Sequence, residues 1–151
     1  MTNQYDEIVR REIVTTRVFD APRATVFEAW TDPEQLKIWW GPKGFTNTFH
    51  HCEMRPGGSW SYIMHGPDGK NYPNEMRFVE ITPPERIVID HMSYPQFRLT
   101  VLFHELGDRT KITFRQLFET SDIYDQINKL ALRGNEENLE RLANILAGKP
   151  V

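Results

Sequence analysis

Three side chains in this 151-residue chain have acid–base chemistry and stand in strand-forming sequence: Glu53, Tyr62 and His91. A carboxylate, phenol or imidazole carried into an apolar pocket has a shifted pKa and can move protons without leaving a sequence signature. Metal ligation has its own candidates in "HHCE", residues 50–53, with His65, His91 and His104 elsewhere. Strand alternation puts His50 and Cys52 on one face and His51 and Glu53 on the other, so neither pair supplies three ligands by itself. No HExxH spacing is present and no metal is expected. Nucleophilic catalysis has less support still, since there is no GxSxG elbow and the single cysteine, Cys52, sits mid-strand without a demonstrable basic neighbourhood. The glycines of "RPGG" and "GPDG" lie in hairpins that no helix follows, which argues against a phosphate loop.

The stronger signal is a row of large apolar groups. In "RPGGSWSYIMHGPDGK", residues 55–70, Trp60, Tyr62 and Met64 alternate with Ser59, Ser61 and Ile63 and share one side of a strand. The same alternation aligns Met76 with Phe78, Phe97 with Leu99, Val101 and Phe103, and Ile112 with Phe114, Gln116 and Phe118. Aromatic and methionine rows either fill a core or line an adaptable apolar site.

The elements that must position these rows are legible from turns and caps. Residues 8–19 read as a first strand, followed by a helix capped by Asp20 or Ala21, with Pro22 in its first turn and Val26, Phe27 and Trp30 on one face. A second short helix starts at Asp32-Pro33 with Gln35 as in a capping box, buries Leu36, Trp39 and Trp40, and ends at Gly41-Pro42. Between residues 45 and 119, turn signals at Pro56-Gly57-Gly58, Gly66-Pro67-Asp68-Gly69, Pro83-Pro84-Glu85, Tyr94-Pro95-Gln96 and Gly107-Asp108 divide a six-strand meander. A helical period then runs over residues 122–147, capped by Ser121 or Asp122 and stopped at Gly148-Lys149-Pro150, for a length of about 39 Å. Ile123, Ile127, Leu130, Ala131, Leu139, Leu142, Ile145 and Leu146 form its apolar stripe, with Glu136, Glu137, Glu140 and Arg141 expected to face water. Gly134 and Asn138 interrupt that stripe at its centre, so the helix there either approaches the sheet closely or roofs a gap.

The fold class is therefore α+β, a curved antiparallel sheet of six to seven strands covered by the last helix, in one domain spanning residues 1–151. Lys and Arg number 18 against 21 Asp and Glu, a net charge of −3 with no basic run, so nucleic acid and anionic membrane surfaces are not expected partners. One cysteine excludes an intrachain disulfide and suits a reducing compartment. The N-terminal "MTNQYDEIVRRE" lacks a signal-peptide core and no apolar run approaches the roughly 18 residues of a membrane span, so a cytoplasmic location is expected.

The segments "FDAPRATVFEAWTDPEQLKIWWGPKGF", "CEMRPGGSWSYIMHGPDG" and "EITPPERIV" resemble the AHSA1-like branch of the START/polyketide-cyclase (SRPBCC) superfamily, named for the C-terminal domain of the activator of the Hsp90 ATPase. The resemblance runs from about residue 17 to residue 146. It implies a helix-grip fold, in which the sheet wraps the C-terminal helix and leaves a cavity between them. Members of the superfamily bind lipids, sterols, polyketides or other hydrophobic small molecules, and a few catalyse cyclisation or related acid–base reactions. Many relatives carry Gly-Trp near the middle of the last helix where this chain has Gly134-Asn135, which makes the roof more polar. The chaperone role transfers less directly, because the eukaryotic activator also uses a separate N-terminal domain for which 151 residues leave no room.

The expected function is binding of a small hydrophobic or amphipathic molecule between sheet and helix, with no cofactor. Trp60, Tyr62, Met64, Met76, Phe78, Phe97, Leu99 and Phe114 are the expected walls, Gly134 and Asn138 part of the roof, and Trp39 and Trp40 the closure of one mouth. Asn138, Tyr62 or His91 would orient the ligand. The alternatives are an acid–base enzyme of cyclase, isomerase or hydrolase type in the same cavity, with two or more titratable groups converging inside, and a chaperone-related interaction module with an apolar outer sheet face. A homodimer is a further open partner.

Overall fold

The computed structural model describes residues 11–151. β-Branched residues build strand β1 over Glu12–Phe19; residues 8–10 of the expected strand lie outside the described residues. Helix α1 follows over Arg23–Thr31, but neither Asp20 nor Ala21 caps it. Pro22 holds the N-cap in extended backbone with no side-chain bond, and its carbonyl accepts from Val26 N at 3.1 Å. Helix α2, Pro33–Trp39, begins as its sequence indicates: Asp32 accepts from Glu34 N at 3.0 Å and from Gln35 Nε2 at 3.1 Å, with proline at the first helical position.

The meander comprises β2 (Thr46–Cys52), β3 (Ser59–His65), β4 (Asn71–Thr82), β5 (Arg86–His91), β6 (Phe97–Leu106) and β7 (Arg109–Phe118), each hairpin turning at one of the five expected signals. All neighbouring strands are antiparallel in one sheet of order β1-β7-β6-β5-β4-β3-β2, so the first strand closes beside the last and α1 and α2 carry the chain to the far edge. A Cβ at Gly58 would overlap the Glu53 carbonyl oxygen, which is why the β2–β3 turn requires glycine there. Register shifts between Phe49 and His51 and between Phe78 and Glu80 sharpen the sheet's curl. The first also overturns strict alternation in "HHCE": Phe49 and Cys52 pack against the core while His50 and His51 are both exposed.

The closed half of the core is aromatic. Trp30 packs edge-on against Trp39 and Trp40, with ring centroids 4.8 and 5.6 Å apart, and Trp39 Nε1 donates to Ala29 O at 3.0 Å. Trp60 is wholly buried, stacked between Tyr62 at 4.6 Å and Phe78 at 5.8 Å.

The long helix, α3, spans Ser121–Leu146. Its cap is Thr120, one residue before the expected Ser121 or Asp122, because the Thr120 hydroxyl accepts from Ile123 N at 3.1 Å. The buried residues of α3 are Asn135, Asn138, Leu139, Arg141 and Leu142, all in its C-terminal half. Its N-terminal half stands off the sheet, with Ile123, Ile127 and Ala131 only part-buried and Leu130, expected in the stripe, 73% exposed. Arg141 corrects the expected water-facing set. It is buried and threads the α2–β2 connection, where Nη1 donates to the carbonyls of Trp40, Gly41 and Pro42 and Nη2 to those of Ile38 and Phe45, at 2.9–3.1 Å.

Candidate functional site

Where α3 stands off, two joined chambers open between it and the sheet. The inner one, about 220 Å³, has Tyr62 and Met76 on its floor and Gly134, Asn135 and Asn138 as its roof. The outer one, about 740 Å³, widens past Met64, Asn74 and Gly134 to a mouth framed by Phe45, Tyr72 and Tyr94. Lys43, Arg133 and Glu137 bring charge to that rim.

The structure divides the expected site residues into two groups. Trp40, Tyr62, Met64, Met76, His91, Phe97, Gly134 and Asn138 line the inner chamber. Trp39, Trp60, Phe78, Leu99 and Phe114 lie instead in the packed core, so Trp39 closes no mouth and Trp60 is a backing layer beneath Tyr62. The row at Trp60 thus runs from solid core to open wall within three alternate positions. Sequence reasoning passed over Asn74, noted Asn135 only as making the roof more polar and gave Gln116 no role in the site, though alternation with Met76 and the helical period through Leu139 place the first two on lining faces.

The inner polar groups are tied to one another. Gly41 N donates to Asn138 Oδ1 at 3.1 Å, and Asn135 Nδ2 donates to Gln116 Oε1 at 2.9 Å. Trp40 Nε1 donates to the Tyr62 hydroxyl at 2.9 Å, and that hydroxyl donates to Met76 Sδ at 3.3 Å. Burial pushes the Tyr62 phenol well above its ordinary range, so it stays protonated at neutral pH. Cys52 is likewise pushed up to about 12 by burial and remains a thiol. Glu53 is exposed, with Ser59 Oγ donating at 2.7 Å and Arg55 Nη2 at 2.9 Å; these partners, Ser59 foremost, hold its carboxyl below the usual range and away from the cavity. Among the described residues, no group of three His, Cys, Asp or Glu side chains is arranged to hold a metal.

His91 stacks on Phe97 with centroids 4.6 Å apart, its Nε2 2.6 Å from Asn74 Oδ1 and its Nδ1 2.8 Å from Pro95 O. Asn74 is oriented by its own Nδ2, which donates to Tyr72 O at 2.8 Å. A neutral imidazole donates through one nitrogen only, so both contacts are hydrogen bonds only in the protonated ring. Burial outweighs that pull and lowers the His91 pKa, with the Pro95 carbonyl drawing it partly back. The unfolded chain then takes up a proton near pH 6.5 that the folded chain accepts only at lower pH; the stability His91 contributes is complete above about pH 6.5 and is lost as pH falls toward the folded pKa. Urea unfolding should show stability declining below about pH 6.5, and His91→Gln should flatten that decline. An unchanged pH slope in the variant would assign the effect to other groups.

The family model for Activator of Hsp90 ATPase homolog 1-like proteins matches residues 20–147. The chain belongs to this family. Its AHSA1-type helix-grip fold recurs in an NMR structure of an Arthrobacter aurescens protein, 26% identical, covering 94% of this chain and 89% of that one with a TM-score of 0.86. A crystal structure of a Nitrosomonas europaea protein, 20% identical over 93% of this chain and 96% of its own, has a TM-score of 0.84. The crystal structure described as AHSA1 from Silicibacter pomeroyi is 19% identical over 90% and 97% of the two chains, with a TM-score of 0.72. The last two establish likeness of fold alone. No curated protein matches the chain. None of the helices among the described residues is long and apolar enough to cross a membrane.

Proposed function

We propose that this AHSA1-like protein binds a small amphipathic molecule in the joined chambers beneath α3. The observation that carries the reading is the way α3 is seated: its buried residues begin at Asn135, so the helix is anchored at one end and leaves walled space at the other. Burial of a ligand's apolar surface against Met64, Met76, Phe97 and Ile127 supplies affinity at about 25 cal/mol per Å², less the cost of association. Tyr62 and His91 do converge on the inner chamber, but binding is favoured over acid–base catalysis because the Tyr62 hydroxyl is engaged by Trp40 and Met76, both His91 nitrogens face protein oxygens, and Glu53 lies outside. A protein-docking role for the outer sheet face is disfavoured by the ion pairs there, Arg98 with Asp90 at 2.7 Å and Arg115 with Glu12 at 2.9 Å. The setting that suits the protein is the cytoplasm, where the half-buried Cys52 thiol is kept reduced.

Titration with prodan, an uncharged naphthyl ketone whose emission shifts to the blue in apolar surroundings, tests the reading. Saturable blue-shifted emission at one site per chain is expected; emission that stays water-like at every protein concentration would sink the proposal.

A further inference from the structure

The inner chamber's amides are fixed in direction. Gln116 and Asn138 are both more than nine-tenths buried, and in each the oxygen is already taken, by Asn135 Nδ2 and by Gly41 N. Each therefore presents its NH2 to the chamber, while Asn135, whose NH2 is spent on Gln116, presents its oxygen. Neither basic side chain near the chamber offers a charge to a ligand. Arg141 is not among the lining residues: it spends both terminal nitrogens on five backbone carbonyls, and its unpartnered Nε is itself buried; both His91 nitrogens face protein oxygens. The lysine and arginine side chains lining the cavity, Lys43 and Arg133, lie at the outer rim. Polarity thus runs from uncharged hydrogen-bonding groups at the deep end, through an apolar neck, to charge at the mouth.

We infer that the cavity takes its ligand head first and selects an uncharged carbonyl group, a ketone or carboxamide, at its deep end, with the Gln116 and Asn138 amides as donors. This rests on the binding function proposed above and adds the chemical class of the ligand. An acceptor oxygen there satisfies donors that a hydrocarbon would leave unpaired. A carboxylate would lose its hydration without meeting a counter-charge, and so is rejected although its shape is the same.

Four probes of one shape separate these effects: 4-phenyl-2-butanone, 3-phenylpropanamide, 3-phenylpropionate and 3-methylbutylbenzene, each measured by displacement of prodan at pH 8. The ketone and amide should bind at least about tenfold more tightly than the carboxylate and the hydrocarbon. Asn138→Asp keeps the acceptor for Gly41 N and removes the donor, and Gln116→Met removes the other; each, in a protein of unchanged far-ultraviolet circular dichroism, should cut the ketone's advantage over the hydrocarbon by about fivefold or more. Prodan displaced equally by all four probes, or a ketone preference surviving both substitutions, would overturn the head-group inference while leaving the cavity in place. Failure of prodan itself to bind would overturn the binding function instead.

Discussion

Arg141→Met should destabilise the protein by about 3–5 kcal/mol, because each buried carbonyl left without its donor costs about 1–3 kcal/mol and several are left at once. Methionine matches the arginine stem in length and apolar character, so the loss isolates the guanidinium. That group donates to the carbonyls of Ile38, Trp40, Gly41, Pro42 and Phe45, in a stretch that leaves the end of α2 and crosses to β2. Ile38 O and Trp40 O belong to the last turn of α2 and its cap, where a cation also meets the negative end of the helix dipole. Without the guanidinium the Ile38, Gly41 and Phe45 carbonyls lose this donor together, while Trp40 O keeps Asn47 Nδ2 and Pro42 O keeps Phe45 N. Lysine cannot reproduce a planar fork, so Arg141→Lys should recover less than half of the loss. Urea denaturation of the three proteins checks this; a change below about 1 kcal/mol for Arg141→Met would mean that water replaces the lost donors at no cost.

Gly134→Leu should weaken prodan binding by more than about tenfold while leaving the fold intact or slightly more stable. Gly134 stands where the two chambers meet, and a Cβ there would meet only Pro42 Cγ, at 3.6 Å. The glycine is therefore not required by a close approach to the sheet, and it has no unusual backbone angle that would strain a side chain. In a helix interior it costs about 1 kcal/mol relative to alanine, a cost with no packing return in this structure. Leucine fills the neck; alanine does not. Gly134→Ala should accordingly raise stability by about 0.5–1 kcal/mol and keep most of the binding. A Gly134→Leu protein that melts normally and still takes up prodan with unchanged affinity would place the ligand elsewhere.

The alternation of Trp60, Tyr62 and Met64 was enough to put those residues on the inner face, and the five turn signals were enough to cut the meander into strands. Period alone does not say where a face stops being core. That depends on the tilt of α3, which is set by contacts far apart in sequence, notably Leu139 and Leu142 seated in the core at one end. For the same reason Leu130, apolar and correctly spaced, lies out at the cavity mouth. Arg141 was misplaced by residue type: its position, three residues after Asn138 and seven after Gly134, belongs to the buried side, but a lone arginine there is ordinarily solvated. What made it buried is a set of backbone carbonyls about a hundred residues away, which no local pattern encodes. The bulge after Phe49 was equally hidden, since one extra residue in a strand reverses the faces beyond it without changing composition.

The most direct test of the cavity is a two-dimensional NMR titration of the 15N-labelled protein with prodan, followed at backbone and side-chain amides. The structure places the responding groups: the side-chain amides of Gln116, Asn135 and Asn138 and the backbone amides of Gly41 and Gly134 should shift together and saturate with one affinity. Shifts confined to outward-facing positions such as Arg98, Thr100 and Arg115, or none at saturating prodan, would contradict a ligand site beneath α3.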